Sequence, residues 1–199
     1  MNRAQRAHLR YLWRSDLYRH LGGQSGWKAA LRAYRLVPGF RFMVWLRLAA
    51  QTRASGGLWR PVHLLARLMH KRYRFKFGIS IPYKTEIGPG FYIGHHGNIV
   101  VNEAARIGRN CNISQSVTIG QVNRGKRKGV PTIGEGVYIG PGAVIIGAVY
   151  VAPGCAIGAN AVVTCDLPEN AVAVGVPARV ISTAGNEAYV EYCDYGELP

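Results

Sequence analysis

From Gly78 onward the chain repeats a short hydrophobic pattern. Aliphatic residues stand six apart at Ile81, Ile87, Ile93 and Ile99. The phase slips by two across Val100–Arg106 and resumes at Ile107, Ile113 and Ile119. Beyond a longer interruption it continues through Ile133, Ile139, Ile145, Val151, Ile157 and Val163. Glycine often follows directly, as at Gly88, Gly94, Gly108, Gly134, Gly140 and Gly158, and a small or modest residue sits four places on, as at Cys111, Val117, Val137, Ala143, Val149, Cys155 and Ala161. A fixed period this short predicts a parallel β-helix. Each hexapeptide is a strand and a corner, three make a triangular coil, and coils stack at roughly the ~4.8 Å strand spacing. The aliphatic residue fills the prism and the second inward slot must be small, which assigns Cys111 and Cys155 to packing. The second interruption, residues 121–131, is basic and glycine-rich, and insertions in a solenoid leave as loops at an edge, where sites are often built.

The segment before the repeat has a different period. Pro38 suits the first turn of a helix through Phe40, Phe42, Met43, Leu46 and Leu48, and Gly56-Gly57 marks a break. A second helix, from Trp59 to about Tyr73, carries Val62, Leu64, Leu65, Leu68 and Met69 interleaved with Arg60, Arg67, Lys71 and Arg72. A shorter one spans Trp27 to Leu36. The chain thus divides into a helical region over 1–76, a β-helix over 77–181 with the 121–131 insertion, and an acidic C-terminal tail over 182–199.

Charge follows this division. Residues 1–76 hold 17 Lys/Arg and a single acid, Asp16, whereas residues 77–199 hold 8 Lys/Arg and 9 acids. A block of one sign implies a polyanion or an anionic membrane surface as partner, set against a solvated helical surface with none. Nucleic acid is excluded as that partner because no helix-turn-helix or RNA-binding signature is present. Mixed aromatic, aliphatic and arginine positions fit an interfacial helix as well as one packed on its neighbours. No apolar run reaches the ~18 residues of a membrane span and the N-terminus lacks a secretory apolar block, so the expected place is the cytoplasm, at the inner face of the membrane. Four cysteines without a CxxC pair argue against a zinc knuckle or a disulfide scaffold.

The repeat region contains two histidines, His95 and His96, at a corner where side chains project outward. Histidine is the natural general base near neutrality. Metal binding needs at least three ligands, and no further histidine lies in the repeat, so no metal is expected.

The stretches FGISIPYKTEIGPGFYIGHHGNIVVNEAARIGRNCNISQSVTIG and VYIGPGAVIIGAVYVAPGCAIGANAVVTCDLPENAVAVGVPARVI resemble the serine-acetyltransferase branch of the hexapeptide-repeat acyltransferases over Phe77 to Ile181. The resemblance implies an all-β, left-handed parallel β-helix following the N-terminal α-helical region, a homotrimer, and acetyl-CoA bound between neighbouring β-helices. It implies His95 as the catalytic base. Pro141, Ala143, Ala159 and Ala161 match positions along the cofactor groove. Thr164, with Cys165, matches a threonine–lysine pair, and Arg179 a basic residue near the nucleotide. Backbone N–H groups near Gly120 are candidate oxyanion donors.

The acceptor side departs from the family pattern. Ser80 stands where an aspartate pairs with the histidine, Gly94 where an aspartate binds serine, and Val130 where a later loop carries histidine. Serine can hydrogen-bond an imidazole but cannot stabilise imidazolium by charge, so Glu103 and Ser80 are the rival orienting groups. These departures, with IGHHGNIVVN, ISQSVTIGQ and RGKRKGVPTIG, resemble capsular and exopolysaccharide O-acetyltransferases. The expectation is an acetyl-CoA-dependent O-acetyltransferase acting on a sugar hydroxyl, lipid-linked or on a nucleotide sugar. His96, Arg124, Lys126, Arg127 and Lys128 are its candidate acceptor-binding residues. The alternatives are serine O-acetylation and a non-catalytic trimeric scaffold on a membrane, with N-acetylation of an amino sugar a smaller rival.

Overall fold

The computed structural model describes residues 1–196. Four helices precede the repeat: α1 (Arg3–His20), α2 (Trp27–Leu36), α3 (Pro38–Thr52) and α4 (Trp59–Phe77). Pro38 opens α3, where its missing N–H costs nothing. Gly78 closes α4 in the left-handed conformation, φ 62°. Sequence patterning did not single out α1. Its signal is a capping box in which Asn2 and Gln5 satisfy each other's backbone N–H.

The strands wind as successive coils. The first holds β1 (Ile79–Ser80), β2 (Glu86–Ile87) and β3 (Tyr92–Ile93), and the second β4 (Ile99–Val101), β5 (Arg106–Ile107) and β6 (Asn112–Ile113). The third holds β7 (Thr118–Gly120), β8 (Thr132–Ile133) and β9 (Tyr138–Ile139), and the fourth β10 (Val144–Ile146), β11 (Tyr150–Val151) and β12 (Ala156–Ile157). β13 (Val162–Val163) and β14 (Val172–Val174) begin a last coil, and β15 (Arg179–Ser182) turns back antiparallel onto β14. Up to β13 every third strand stacks in parallel; with β14 added in parallel on β12 and β15 antiparallel on β14, the three faces are β1-β4-β7-β10-β13, β2-β5-β8-β11, and β3-β6-β9-β12-β14-β15. All thirteen aliphatic repeat positions are buried, as are the seven small ones. Cys111 hydrogen-bonds the Gly134 carbonyl at 3.1 Å, and burial pushes its thiol up to about 12, which keeps it a packing residue.

The slip of phase lies elsewhere than its expected place at Val100–Arg106. Ile93 pairs with Ile113, but Val101, not Ile99, pairs with Ile119. Eight residues therefore separate Ile93 from Val101 where six separate Ile113 from Ile119. The extra pair sits in the corner after β3, which carries His95 and His96. A buried interior misled the sequence reading: Ile99 is as fully enclosed as the true repeat residue two places on.

The three faces have different outer surfaces. The second is charged, with Arg106 paired to Glu86 at 3.3 Å. The first presents a ladder of Ser80, Val100, Thr118, Val144 and Val162. The third is covered by α1 and by the chain beyond β15. There Tyr189 stacks on Tyr138, and Tyr195 packs against Tyr11 and Tyr18 while donating to Asn110 at 2.7 Å. The tail expected over 182–199 is, in its described part, a strap; residues 197–199 lie outside the described residues.

Polar side chains join the helices to the coil end. Arg47 of α3 forms a two-pronged pair with Asp16 of α1 at 3.0 and 3.1 Å and donates to the carbonyls of Ile87 and Gly88 at 2.6 and 2.7 Å. Asp16 accepts the Phe91 N–H, and Ser15 accepts the Gly90 N–H. Arg19 donates to Gly90, Asn112 and Glu191. Asp16 and Arg47 are both buried. Such a pair contributes modestly in itself but is costly to break, because the partner left behind is an uncompensated charge.

Ile113→Ala empties a fully enclosed site and is expected to cost about 2–5 kcal/mol by urea unfolding. Arg47→Met, which strands Asp16 and two carbonyls, is expected to cost about 3–5 kcal/mol in the same assay. Burial, with Arg74 adding to it, pushes His70 down to about 4 while its ring meets the Ile81 carbonyl at 3.0 Å. Between that value and the ~6.5 of an unfolded histidine, the unfolded chain holds the extra proton. Stability is therefore complete above about pH 6.5 and falls as pH drops toward 4, by about 3 kcal/mol from this group. Denaturant midpoints that stay constant from neutrality to pH 4.5 would contradict it.

Candidate active site

His95 projects from the lengthened corner between β3 and β4 and is exposed. The corner is pinned from several sides. The Gly94 N–H donates to Ile113 at 3.3 Å, Ser116 donates to the Gly97 carbonyl at 2.8 Å, and the Ile99 N–H donates to Gly78 at 3.0 Å. Gly97 and Asn98 carry positive φ, 119° and 53°. A Cβ on Gly78 would stand 3.1 Å from the Asn98 nitrogen, so the end of α4 rests directly on this turn. His96, expected at the acceptor, meets Phe77 edge-on with ring centroids 5.7 Å apart.

The strand leading into the corner depends on α1. His20 takes the Ile93 N–H on Nε2 at 3.2 Å and places Nδ1 2.7 Å from the Asp16 carbonyl. Only the neutral ring with its proton on Nδ1 makes both bonds. Burial lowers its pKa, which favours that form. Sequence reasoning missed Asp16, Arg19, His20 and Arg47 as supports of the site. One signal for them was present: Asp16 is the lone acid among seventeen cations.

The two rival orienting groups are otherwise engaged. Glu103 pairs with Lys84 at 3.3 Å, and the Ser80 hydroxyl accepts from Arg74 at 2.8 Å. Among the described residues of this one chain, no side chain hydrogen-bonds the His95 ring. Gly94 lies beside Tyr92, whose ring carbon would be 3.1 Å from a Cβ there. Tyr92 in turn packs on His20 at 4.9 Å. An aromatic side chain thus takes the space into which a residue at 94 would extend.

The loop over 121–131 is a hairpin closed by Val122 and Gly129. Arg127 is not a free acceptor ligand, because it bonds both oxygens of Asp166 at 2.9 Å and the Ala148 carbonyl at 3.2 Å. The Tyr150 N–H and Arg127 together hold the Asp166 carboxyl below its ordinary pKa. Arg124, Lys126 and Lys128 are exposed. On the cofactor side, Ala143 and Ala161 are corrected to core residues, since both face the prism interior with no exposed surface. Ala159, Thr164 and Arg179 are exposed and Pro141 half-buried. Gly120 lies opposite Ile146 on the first face, with its carbonyl accepting from Gly147. No group of three or more His, Cys, Asp or Glu side chains able to hold a metal occurs among the described residues.

Residues 131–165 match the family described as "Bacterial transferase hexapeptide (six repeats)". The chain is 37% identical over 147 residues to the serine acetyltransferase of Helicobacter pylori strain J99, covering 74% of this chain and 83% of that one. It is 38% identical over 128 residues to that of Bacillus subtilis, covering 64% of this chain and 59% of the relative. Among solved structures, the Brucella abortus serine acetyltransferase in complex with Coenzyme A superposes with a TM-score of 0.72 at 27% identity, covering 86% of this chain and 67% of that one. The soybean enzyme complexed with serine gives 0.69 at 31% identity, covering 87% and 69%. These matches identify the solenoid as a left-handed β-helix. They also overturn the expectation of a sugar-hydroxyl acceptor in surface-polysaccharide assembly, because the relatives at 31–38% identity are serine acetyltransferases. The non-catalytic scaffold falls for the same reason. A β-helix with an exposed histidine on its lengthened corner, and more than a third identity across most of its length to such enzymes, belongs to the serine acetyltransferase family.

Proposed function

We propose that this chain transfers the acetyl group of acetyl-CoA to the hydroxyl of free serine. The observation that carries the reading is the extent of identity with serine acetyltransferases, 37% over 147 residues and 74% of this chain. His95 accepts the hydroxyl proton as the serine oxygen attacks the thioester carbonyl. Charge that builds on the carbonyl oxygen falls to backbone N–H groups of the coil edge near Gly120. Collapse expels the CoA thiolate, which takes the proton back from His95, giving O-acetylserine and CoA. No acyl-enzyme is required.

His95 is exposed on a single chain, and a second copy supplies the other wall of the site in this reading. The ladder of the first face favours such an association: Val100 is 47% exposed, and Thr118, Val144 and Val162 are only half-covered. Assembly as a homotrimer through this face would bury it. Gly94 leaves one charged contact fewer for the bound serine than the family pattern provides, Ser80 leaves His95 without the aspartate partner of that pattern, and Arg74 donates to the Ser80 hydroxyl.

Thiol release from acetyl-CoA, followed with and without L-serine, tests the proposal. The wild type is expected to release CoA in a serine-dependent manner. His95→Ala is expected to lower kcat by about 10²–10⁴-fold with KM for acetyl-CoA nearly unchanged. Release that is independent of serine sinks the acceptor assignment, and full turnover by the variant sinks the role of His95.

A further inference from the structure

Among the described residues, none covers the outer side of α4. Ala66, His70, Tyr73 and Phe77 turn inward. Leu64, Leu68 and Phe75 fall on the opposite side, within an arc of about 40° at 100° per residue. They are 61%, 64% and 80% exposed. Leu65 and, just before the helix, Leu58 are exposed as well. Exposed apolar residues scattered singly need no explanation, but a continuous ridge on one helix does.

Cations border the ridge on both sides. Arg60, Arg67 and Lys71 lie along one flank, Arg72 and Lys76 along the other, and all are exposed. The helix contains no acid. Among the described residues, none of these five takes part in an ion pair. The one acid of the first 76 residues, Asp16, is buried against Arg47, so no acid of the helical region offsets the positive field of α4. Two open clefts adjoin the ridge. One of about 540 Å³ is lined in part by Arg53, Arg60 and Arg67, and one of about 440 Å³ by Arg67, Lys71 and Arg74. Each sets guanidinium groups beside leucine.

An apolar ridge between two rows of long basic side chains suits a surface that is apolar below and anionic above. A protein partner would need apolar and acidic groups in matching rows, whereas a bilayer containing anionic phospholipid supplies both everywhere. No helix of the described residues is long and apolar enough to cross a membrane, which leaves α4 lying along the interface. We infer that the outward face of α4 docks on an anionic phospholipid bilayer, with Leu64, Leu68 and Phe75 entering the headgroup boundary and the flanking cations pairing with phosphates. Because α4 ends against the His95 corner, docking would hold that corner beside the membrane.

Co-sedimentation of the full chain with vesicles tests this. Vesicles of phosphatidylcholine alone are compared with vesicles of equal parts phosphatidylcholine and phosphatidylglycerol. Binding is expected to the anionic vesicles, to weaken as salt rises, and to be at least about ten-fold weaker to the neutral ones. Leu64→Ser/Leu68→Ser/Phe75→Ser and, separately, Arg60→Gln/Arg67→Gln/Lys71→Gln should each reduce partitioning at least about ten-fold while keeping the wild-type circular dichroism and acetyl-CoA turnover. Arg124→Gln/Lys126→Gln/Lys128→Gln removes the same charge from the distant hairpin and should bind like the wild type. Equal binding to both vesicles, no binding, or α4 variants that bind normally would overturn the inference. So would variants that change the oligomer's mass in sedimentation velocity without changing vesicle binding, which would make the ridge a contact between copies.

Discussion

The narrow interior of the triangular prism governs everything else in this molecule. Each side admits one branched aliphatic and one small residue, and stacked coils leave no room for a third. Residues in excess of the six-residue period must therefore leave at a corner. The chain does this twice in the repeat. Two extra residues lengthen the turn that carries His95 and His96, and a longer insertion makes the hairpin over 121–131. The regularity of the core thus decides where chemistry can be placed.

A corner that projects into solvent needs holding, and the helices supply the means. Asp16, Arg19, His20 and Arg47 satisfy backbone groups from Ile87 to Ile93, directly before the turn. Gly78 presses on the turn from the other side. The basic region is therefore two things at once: α1 and α3 place Asp16, Arg19 and Arg47 on the coil end, while α4 keeps most of its cations outside.

Much of this was legible in the residues. The period of six named the buried positions correctly, because inward burial and periodicity are the same constraint. The helices beginning at Trp27, Pro38 and Trp59 showed through proline, glycine and amphipathic spacing. The first helix did not, since Ser15, Asp16 and Arg19 are inward beside its leucines and interrupt a core-facing stripe. The slip of phase was misplaced because Ile99 and Val101 are both buried, and periodicity alone does not say which continues the ladder. Ala143 and Ala161 were given to a cofactor groove although their place in the period points inward. The substitutions at Ser80, Gly94 and Val130 point to the wrong acceptor; Arg74 and Tyr92 surround two of these positions, while 37% identity over 74% of the chain weighs on the other side.

The strap that returns across the third face has a consequence for how the molecule is made. Arg19 bonds a carbonyl 172 positions away, Arg14 one 181 away, and Tyr195 closes over two tyrosines of the first helix. During synthesis α1 emerges before the β-helix, yet these contacts wait for the strap that follows it. Contacts between such distant positions carry a high loop-closure cost and form late. The first helix therefore reaches its finished state only once the strap is in place, and a chain cut after the last coil would leave the Tyr11 and Tyr18 rings without their Tyr195 cover.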